Sequence, residues 1–312
     1  MSPKASVIIP TYKRPQLVMR VIESVLSQTY QNFEIVVVDD SPDNETEKTV
    51  NNFNEKRIKY IHNQPGVKLK TINYLAKARN QGVRESSPDS KYIAFLDDDD
   101  FWFPEYLEKT IKKLEEKKDL VFVRTYAELR SQSGEKLPKV FGKLDEFWRI
   151  AAGNGCVLRK EIFTKENIWF DEGMLFEDLD FGFRILQRFN NGAESIPEIL
   201  YVYHHYPVVQ GESLTTAITE YPSEAIELFY KKNYRIYQKI GRKALGWLLF
   251  LTGNKFFLAG KTQEGRNYLL KACLTYPHPR YVLYYLISLV FPDLFQNIRL
   301  KILKQKIFRG KL

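Results

Sequence analysis

Over the first 126 residues, short runs of continuously apolar residues alternate with amphipathic ones. Ser6 to Pro10, Glu34 to Asp39, Arg57 to His62 and Tyr92 to Leu96 read as strands; Pro15 to Gln28, Asn44 to Phe53, Lys70 to Val83 and Pro104 to Lys117 read as helices. Strands without polar alternation are buried on both faces, so the pattern predicts a mainly parallel sheet with helices on each side, an α/β, Rossmann-like arrangement. Asp119 to Tyr126 is a fifth strand candidate. From about residue 127 to 221 the pattern loosens, with polar turns at Ser131 to Gly134 and Gly153 to Gly155, and reads as an α+β extension packed on the first half. After Pro222 it becomes helical and rich in Tyr, Leu and Lys. The expected organisation is a domain over 1–221, in halves 1–126 and 127–221, followed by a helical C-terminal extension over 222–312.

Charge sharpens this division. The net charge of +9 sits in the tail: residues 222–312 hold 17 Lys/Arg against 4 Asp/Glu, whereas residues 1–221 hold 30 against 34. The first two thirds thus lack a basic nucleic-acid footprint, and nucleic acid is not expected as a partner. With 44% hydrophobic and 27% charged residues the chain reads as an ordinary globular protein. Two cysteines far apart, Cys156 and Cys273, argue for a reducing, cytoplasmic compartment rather than a disulfide framework. The N-terminus enters a strand pattern at once, with no secretion signal visible. In the tail, the apolar stretch Tyr281 to Phe291 is too short to span a bilayer as a helix, which takes roughly 20 residues. The basic end beyond it suits either an amphipathic helix on an anionic membrane surface or a solvated helix closing a small bundle. Ala244 to Gly260 followed by Glu264 to Leu274 has the form of one tetratricopeptide-like helical hairpin, and one unit is not a repeat array.

Four consecutive aspartates, Asp97 to Asp100, end the fourth apolar strand, and Pro104 soon afterwards suits a helix's first turn. They therefore lie at a strand's C-terminal end, the edge where open α/β sheets bind ligands. Carboxylates this close repel one another unless a cation or hydrogen-bond donors compensate. Their hard oxygens suit Mg²⁺ or Mn²⁺ shared with a diphosphate; the bland alternative is an acidic turn at a helix N-terminus. Val7-Ile-Ile-Pro-Thr-Tyr-Lys-Arg and Ile35-Val-Val-Val-Asp-Asp-Ser place further polar residues on the same edge.

At these residues the chain resembles the family 2 glycosyltransferases with the GT-A fold. The matching features are Ser6-Val-Ile-Ile-Pro-Thr-Tyr, Val38-Asp-Asp-Ser, Ala78-Arg-Asn-Gln-Gly, Leu96-Asp-Asp-Asp-Asp-Phe-Trp-Phe-Pro, and Phe176-Glu-Asp-Leu-Asp followed by Arg184, in the family's order over about residues 5–215. The resemblance implies an inverting, metal-dependent transferase with a nucleotide-diphosphate sugar donor, most simply a UDP-sugar, and a saccharide or lipid-linked acceptor in cell-surface glycan synthesis. Pro10 and Tyr12 would border the base, Asp39 would accept a hydrogen bond from it, and Arg79 would lie near the diphosphate or hold the loop. The family's metal-binding DXD motif falls on the aspartate run, with Asp97 and Asp99 as outer members, although Asp98 and Asp99 also align with the binding pair. Asp99 is the expected direct metal ligand, Asp97 or Asp98 assisting through ribose or donor contacts. Asp178 would be the general base, with Glu177 and Asp180 in supporting roles. His205 would complete the metal site, although the spacing here departs from the family's commoner Tyr-Arg-x-His. Asn154 and Arg159 would face the acceptor, unless Arg159 lies on the fold's exterior, and Trp102, Trp148 and Trp169 are candidates for sugar stacking or for the core.

Two other readings stand beside this one. A nucleotidyltransferase would carry a glycine-rich, lysine-bearing phosphate loop near the first strand, and Thr11-Tyr-Lys-Arg-Pro-Gln is not glycine-rich. A non-catalytic nucleotide-sugar-binding scaffold, with a membrane- or partner-binding tail, would bind donor without turnover.

Overall fold

In the computed structural model the described residues are 4–63, 74–131, 134–141, 152–174, 176–190, 192–205 and 223–290. The chain divides into two compact units, Met1–His204 and His205–Leu312. The first unit runs β1 (Lys4–Thr11), α1 (Pro15–Leu26), β2 (Phe33–Asp39), α2 (Glu45–Asn51), β3 (Ile58–His62), α3 (Tyr74–Glu85), β4 (Ser90–Phe95), β5 (Phe101–Trp102), α4 (Tyr106–Glu116), β6 (Phe122–Ser131), β7 (Lys136–Phe141), β8 (Cys156–Arg159), α5 (Glu161–Thr164), α6 (Glu177–Arg188) and β9 (Ala193–His205). One sheet, in the order β3-β2-β1-β4-β8-β6-β9-β5 with β7 added on β6, forms its centre.

The expected strands form, with ends shifted by a few residues. β1, β2, β3 and β4 are parallel, and their side chains divide between two cores. Ala5, Val7 and Ile9 of β1, with Ile35 and Val37 of β2, join Val18, Val21, Ile22 and Val25 of α1 on one face. Ile8, Val36 and Val38 join α3 and α6 on the other, through Ala76, Val83, Phe181 and Ile185. The period of two thus persists inside runs that are apolar throughout, because both faces are dry. Gly82 of α3 is explained by this packing: a Cβ there would stand 2.3 Å from Ile8 Cγ2.

Beyond β4 the sheet turns antiparallel. β8 pairs with β4 and β6, β7 with β6, and β9 with β5. The irregular stretch after residue 127 therefore continues the same sheet rather than making a separate layer. The fold is α/β with a parallel half and an antiparallel half.

The second unit contains α7 (Ser223–Ile240), α8 (Arg242–Leu258), α9 (Thr262–Thr275) and α10 (Pro279–Val290). α8 and α9 form the expected hairpin and cross closely at two glycines. A Cβ on Gly253 would lie 2.9 Å from the Gly265 carbonyl oxygen, and one on Gly265 would lie 2.5 Å from Phe257 Cδ2. No helix among the described residues is long and apolar enough to cross a membrane.

Candidate active site

Parallel pairing brings the C-terminal ends of β1, β2 and β4 to one edge: Thr11 lies opposite Asp39, and Ile8 opposite Phe95, two residues before Asp97. The four aspartates that follow are chemically identical, yet the structure gives each a different task.

Asp100 turns inward. It is 2% exposed, accepts a hydrogen bond from the backbone N–H of His204 at 2.7 Å, and is held by the Tyr201 hydroxyl and the Asn154 amide. The β5–β9 pairing, Phe101 opposite Val202 and Trp102 opposite Tyr201, sets these donors around it. Asp98 is also buried: Thr11 Oγ1 donates to its Oδ2 at 2.8 Å and Arg14 Nη1 to its Oδ1 at 2.9 Å. Asp97 and Asp99 keep about a quarter of their side chains open, at 26% and 24%. Arg79 Nη2 donates to Asp97 Oδ1 at 2.8 Å, and Arg14 Nη1 reaches Asp99 Oδ2 at 3.1 Å. Burial and the charges of Asp98 and Asp97 push the Asp99 carboxyl up to about 7 despite Arg14.

Arg79 joins this edge to the second acidic cluster. Its side chain is 2% exposed; Nη1 donates to Glu177 Oε1 at 2.9 Å while Nη2 holds Asp97. One buried guanidinium thus ties the aspartate loop to the first turn of α6. Asp178, next along that turn, is half-buried; its Oδ1 accepts from the Leu179 N–H at 2.8 Å. Burial raises its carboxyl above the usual carboxylate range, with Arg79 and that N–H opposing. The turn is strained, since Phe176 has φ of 57°, the left-handed region that a bulky residue avoids. Gly153 allows the close approach: its Cβ would meet Asp178 Cβ at 3.1 Å and Arg79 Nη1 at 3.2 Å. Asp180 pairs with Arg184 at 2.8 Å, so Glu177 and Asp180 face different cations from the same turn.

The nucleotide-side residues divide. Pro10 lies within β1 and is buried, and Tyr12, just past its end, is half-buried. Asp39 is wholly buried; it accepts from the Ser41 N–H at 2.9 Å and from the Tyr60 hydroxyl at 2.8 Å, with the Ser41 hydroxyl as a third donor. That satisfied Asx turn fixes the loop, and Lys13 N–H closes it onto Ser41 Oγ at 2.7 Å. Asn80, next to Arg79, exchanges hydrogen bonds with the Phe170 backbone at 2.9 and 3.0 Å.

Several expectations change. Asn154 works inside the loop, accepting from the Asp97 N–H at 3.0 Å and donating to Asp100. Arg159 is neither exterior nor at the edge; it is buried, and donates to the Leu114 and Leu120 carbonyls near the end of α4. Trp102 is core, stacked on Tyr106 at 4.2 Å, while Trp169 packs against Phe163 and under Arg84. The side chain of His205 and all of Trp148 lie outside the described residues. Thr11, Arg14, Tyr201 and Tyr203 are the residues that sequence reading did not assign. Thr11 and Arg14 stood in the polar strand-end motif, but their partners became visible only with the chain folded. Tyr203 lies on β9 beyond Tyr201; desolvation and the charges of Asp100, Asp99, Asp97 and Asp178 hold its phenol up, although 39% of the residue stays exposed.

The donor set fits a divalent cation. Asp97 and Asp99 offer hard carboxylate oxygens, while Asp98 and Asp100 are spent on internal partners. Among the described residues no group of three or more His, Cys, Asp or Glu surrounds a common point. Two carboxylates with the remaining positions left to phosphate and water match the habit of Mg²⁺ and its relatives.

The chain is 38% identical over 138 residues to an uncharacterized glycosyltransferase of Rickettsia bellii, a match covering 44% of this chain and 19% of that protein. It is 36% identical over 109 residues to WfgD of Escherichia coli, a UDP-Glc:alpha-D-GlcNAc-diphosphoundecaprenol beta-1,3-glucosyltransferase, covering 35% and 40%. These matches span well under half the length of either relative. In structure it is similar to residues 1–349 of S. aureus TarS, solved with UDP-GlcNAc, with a TM-score of 0.63 at 17% identity, covering 98% and 92% of the two chains. It is also similar to a mannosyltransferase of Pyrobaculum calidifontis solved with GDP-Man and Mn²⁺, with a TM-score of 0.57 at 14% identity, covering 100% and 89%. The sheet and its helices thus take the GT-A form. Residues 6–185, more than half of the chain, match Glycosyl transferase family 2, and the chain belongs to that family.

Proposed function

We propose that the chain is an inverting glycosyltransferase. It uses Mn²⁺ or Mg²⁺ and moves a sugar from a nucleotide-diphosphate donor, most simply a UDP-sugar, to a saccharide or lipid-linked acceptor at a membrane surface. The observation that carries this reading is the Arg79 bridge, whose ion pairs with Asp97 and Glu177 set the aspartate loop beside the turn that bears Asp178. The names of the relatives support the donor and acceptor classes.

In this reading Asp178 accepts the proton of the acceptor hydroxyl. The hydroxyl oxygen forms a bond to the anomeric carbon as the bond to the donor's diphosphate breaks on the opposite face, so one base suffices and the configuration inverts. A divalent ion held by Asp97 and Asp99 would neutralise the charge on the leaving diphosphate. Arg79 keeps Asp97 in register with the Glu177-Asp178 turn, and Asp100 fixes the loop through its own donors. The test is transfer from UDP-sugars to diphosphate-lipid-linked saccharides, with the anomeric configuration of the product read by NMR. Asp178→Asn should lower kcat by roughly a hundred- to ten-thousand-fold, the range of a general base, and leave donor affinity unchanged. A retained configuration, or full activity in that variant, would remove Asp178 from its role.

A further inference from the structure

The outward face of α10 is composed as an inward one. Val282, Leu283, Leu286, Leu289 and Val290 follow the i, i+1, i+4, i+7, i+8 spacing of one helical face, and they are 39%, 54%, 52%, 47% and 65% exposed. The opposite face is the one packed: Tyr281 stacks on Phe250 at 4.4 Å, and the Ser288 carbonyl accepts from Arg266 Nε and Nη2 at 2.9 and 2.7 Å. No residue from Tyr281 to Val290 carries a charge. Leu270 and Leu274 of the adjoining α9 add further exposed apolar surface, Leu274 at 71%. Single exposed leucines are ordinary, but three turns of contiguous aliphatic surface mark a contact.

We infer that this face of α10 docks on an anionic lipid surface. Charge selects this occupant. Residues 222–312 carry 17 Lys/Arg against 4 Asp/Glu, and Lys271 and Arg280 are exposed in the helices that bear the patch. An apolar face within a strongly basic unit matches the two terms of interfacial binding, acyl-chain contact and attraction to acidic headgroups. A second copy would bring one basic surface against another, and like charges oppose that pairing. The inference deepens the proposed activity by naming the surface that would hold the enzyme where a lipid-linked acceptor resides. Its test reads lipid binding without turnover, so either can fail alone.

The full chain should be sedimented with vesicles of phosphatidylcholine alone and with phosphatidylglycerol added, at low and high salt. The expected result is pelleting only with the acidic lipid, weakened by salt. Leu283→Ser, Leu286→Ser and Leu289→Ser together should lower binding by about tenfold or more with an unchanged melting temperature, since the positions are exposed. Leu286→Glu alone should act in the same direction. Absence of pelleting with acidic vesicles, or pelleting that both variants leave intact, overturns the inference. So does a dimer in solution that the substitutions dissociate, which would assign the face to a second copy.

Discussion

At the residue scale, four identical side chains in a row acquire different chemistry from their surroundings. Asp100 satisfies the His204 N–H, Tyr201 and Asn154. Removing it leaves buried neutral donors unpaired, so Asp100→Ala should cost about 1–3 kcal/mol. Asp99→Ala removes a carboxylate with one cation partner at an open edge, and should leave the metal-free protein at least as stable while abolishing its response to Mn²⁺. Denaturant melts of both variants test the contrast; equal losses would contradict it. The sequence displayed the acidic run but not this division, because each aspartate takes its partners from a distant part of the chain: Asp98 from Thr11 and Arg14, Asp97 from Arg79, and Asp100 from Tyr201 and His204 on β9.

The raised Asp99 carboxyl has a consequence for pH. A carboxyl that binds its proton more tightly folded than unfolded contributes stability below its unfolded value, near 4. That contribution is lost as pH rises through its folded value of about 7. His204, lowered chiefly by burial, works in the opposite sense near its ordinary range, so the comparison to make is wild type against Asp99→Ala. Between pH 5 and 8 in EDTA, wild type should lose stability relative to the variant, and Mn²⁺ should flatten the difference by replacing the proton. A wild type that gained on the variant as pH rose would contradict the assignment.

At the element scale, the β-α alternation was readable because doubly buried strands are apolar runs of a length that helices rarely match. Even the Gly of Ala78-Arg-Asn-Gln-Gly has a packing cause, and Gly82→Ala should destabilise by about 1–3 kcal/mol through overpacking against Ile8. A neutral result would mean that α3 can move off β1. The antiparallel half was harder to read. β5 has two residues and β8 has four, and their places between or beside distant strands are decided by tertiary pairing rather than by local pattern. Arg159 illustrates the same limit: a strand-end arginine suggests a ligand in sequence, but its donors meet the carbonyls at the end of α4.

At the scale of the whole molecule, charge and chemistry are divided between the units. The acidic edge belongs to Met1–His204, and the chain's net positive charge comes from the helical remainder, where Lys and Arg far outnumber Asp and Glu. The Arg79 bridge gives the first unit its cohesion, since a buried guanidinium between Asp97 and Glu177 makes the placement of the aspartate loop depend on that of the first turn of α6. Under the proposed function, Asp97 and Asp99 form a metal-dependent donor site beside a separable base. The most direct measurement is the melting temperature with UDP-, GDP- and TDP-sugars, each in Mn²⁺, Mg²⁺ or EDTA, because a ligand of the folded state raises stability according to its concentration over Kd. The expected result is a rise with one nucleotide class that needs the metal, vanishes in Asp99→Ala and persists in Asp178→Asn. No rise with any donor, or one that EDTA and Asp99→Ala leave unchanged, would contradict it.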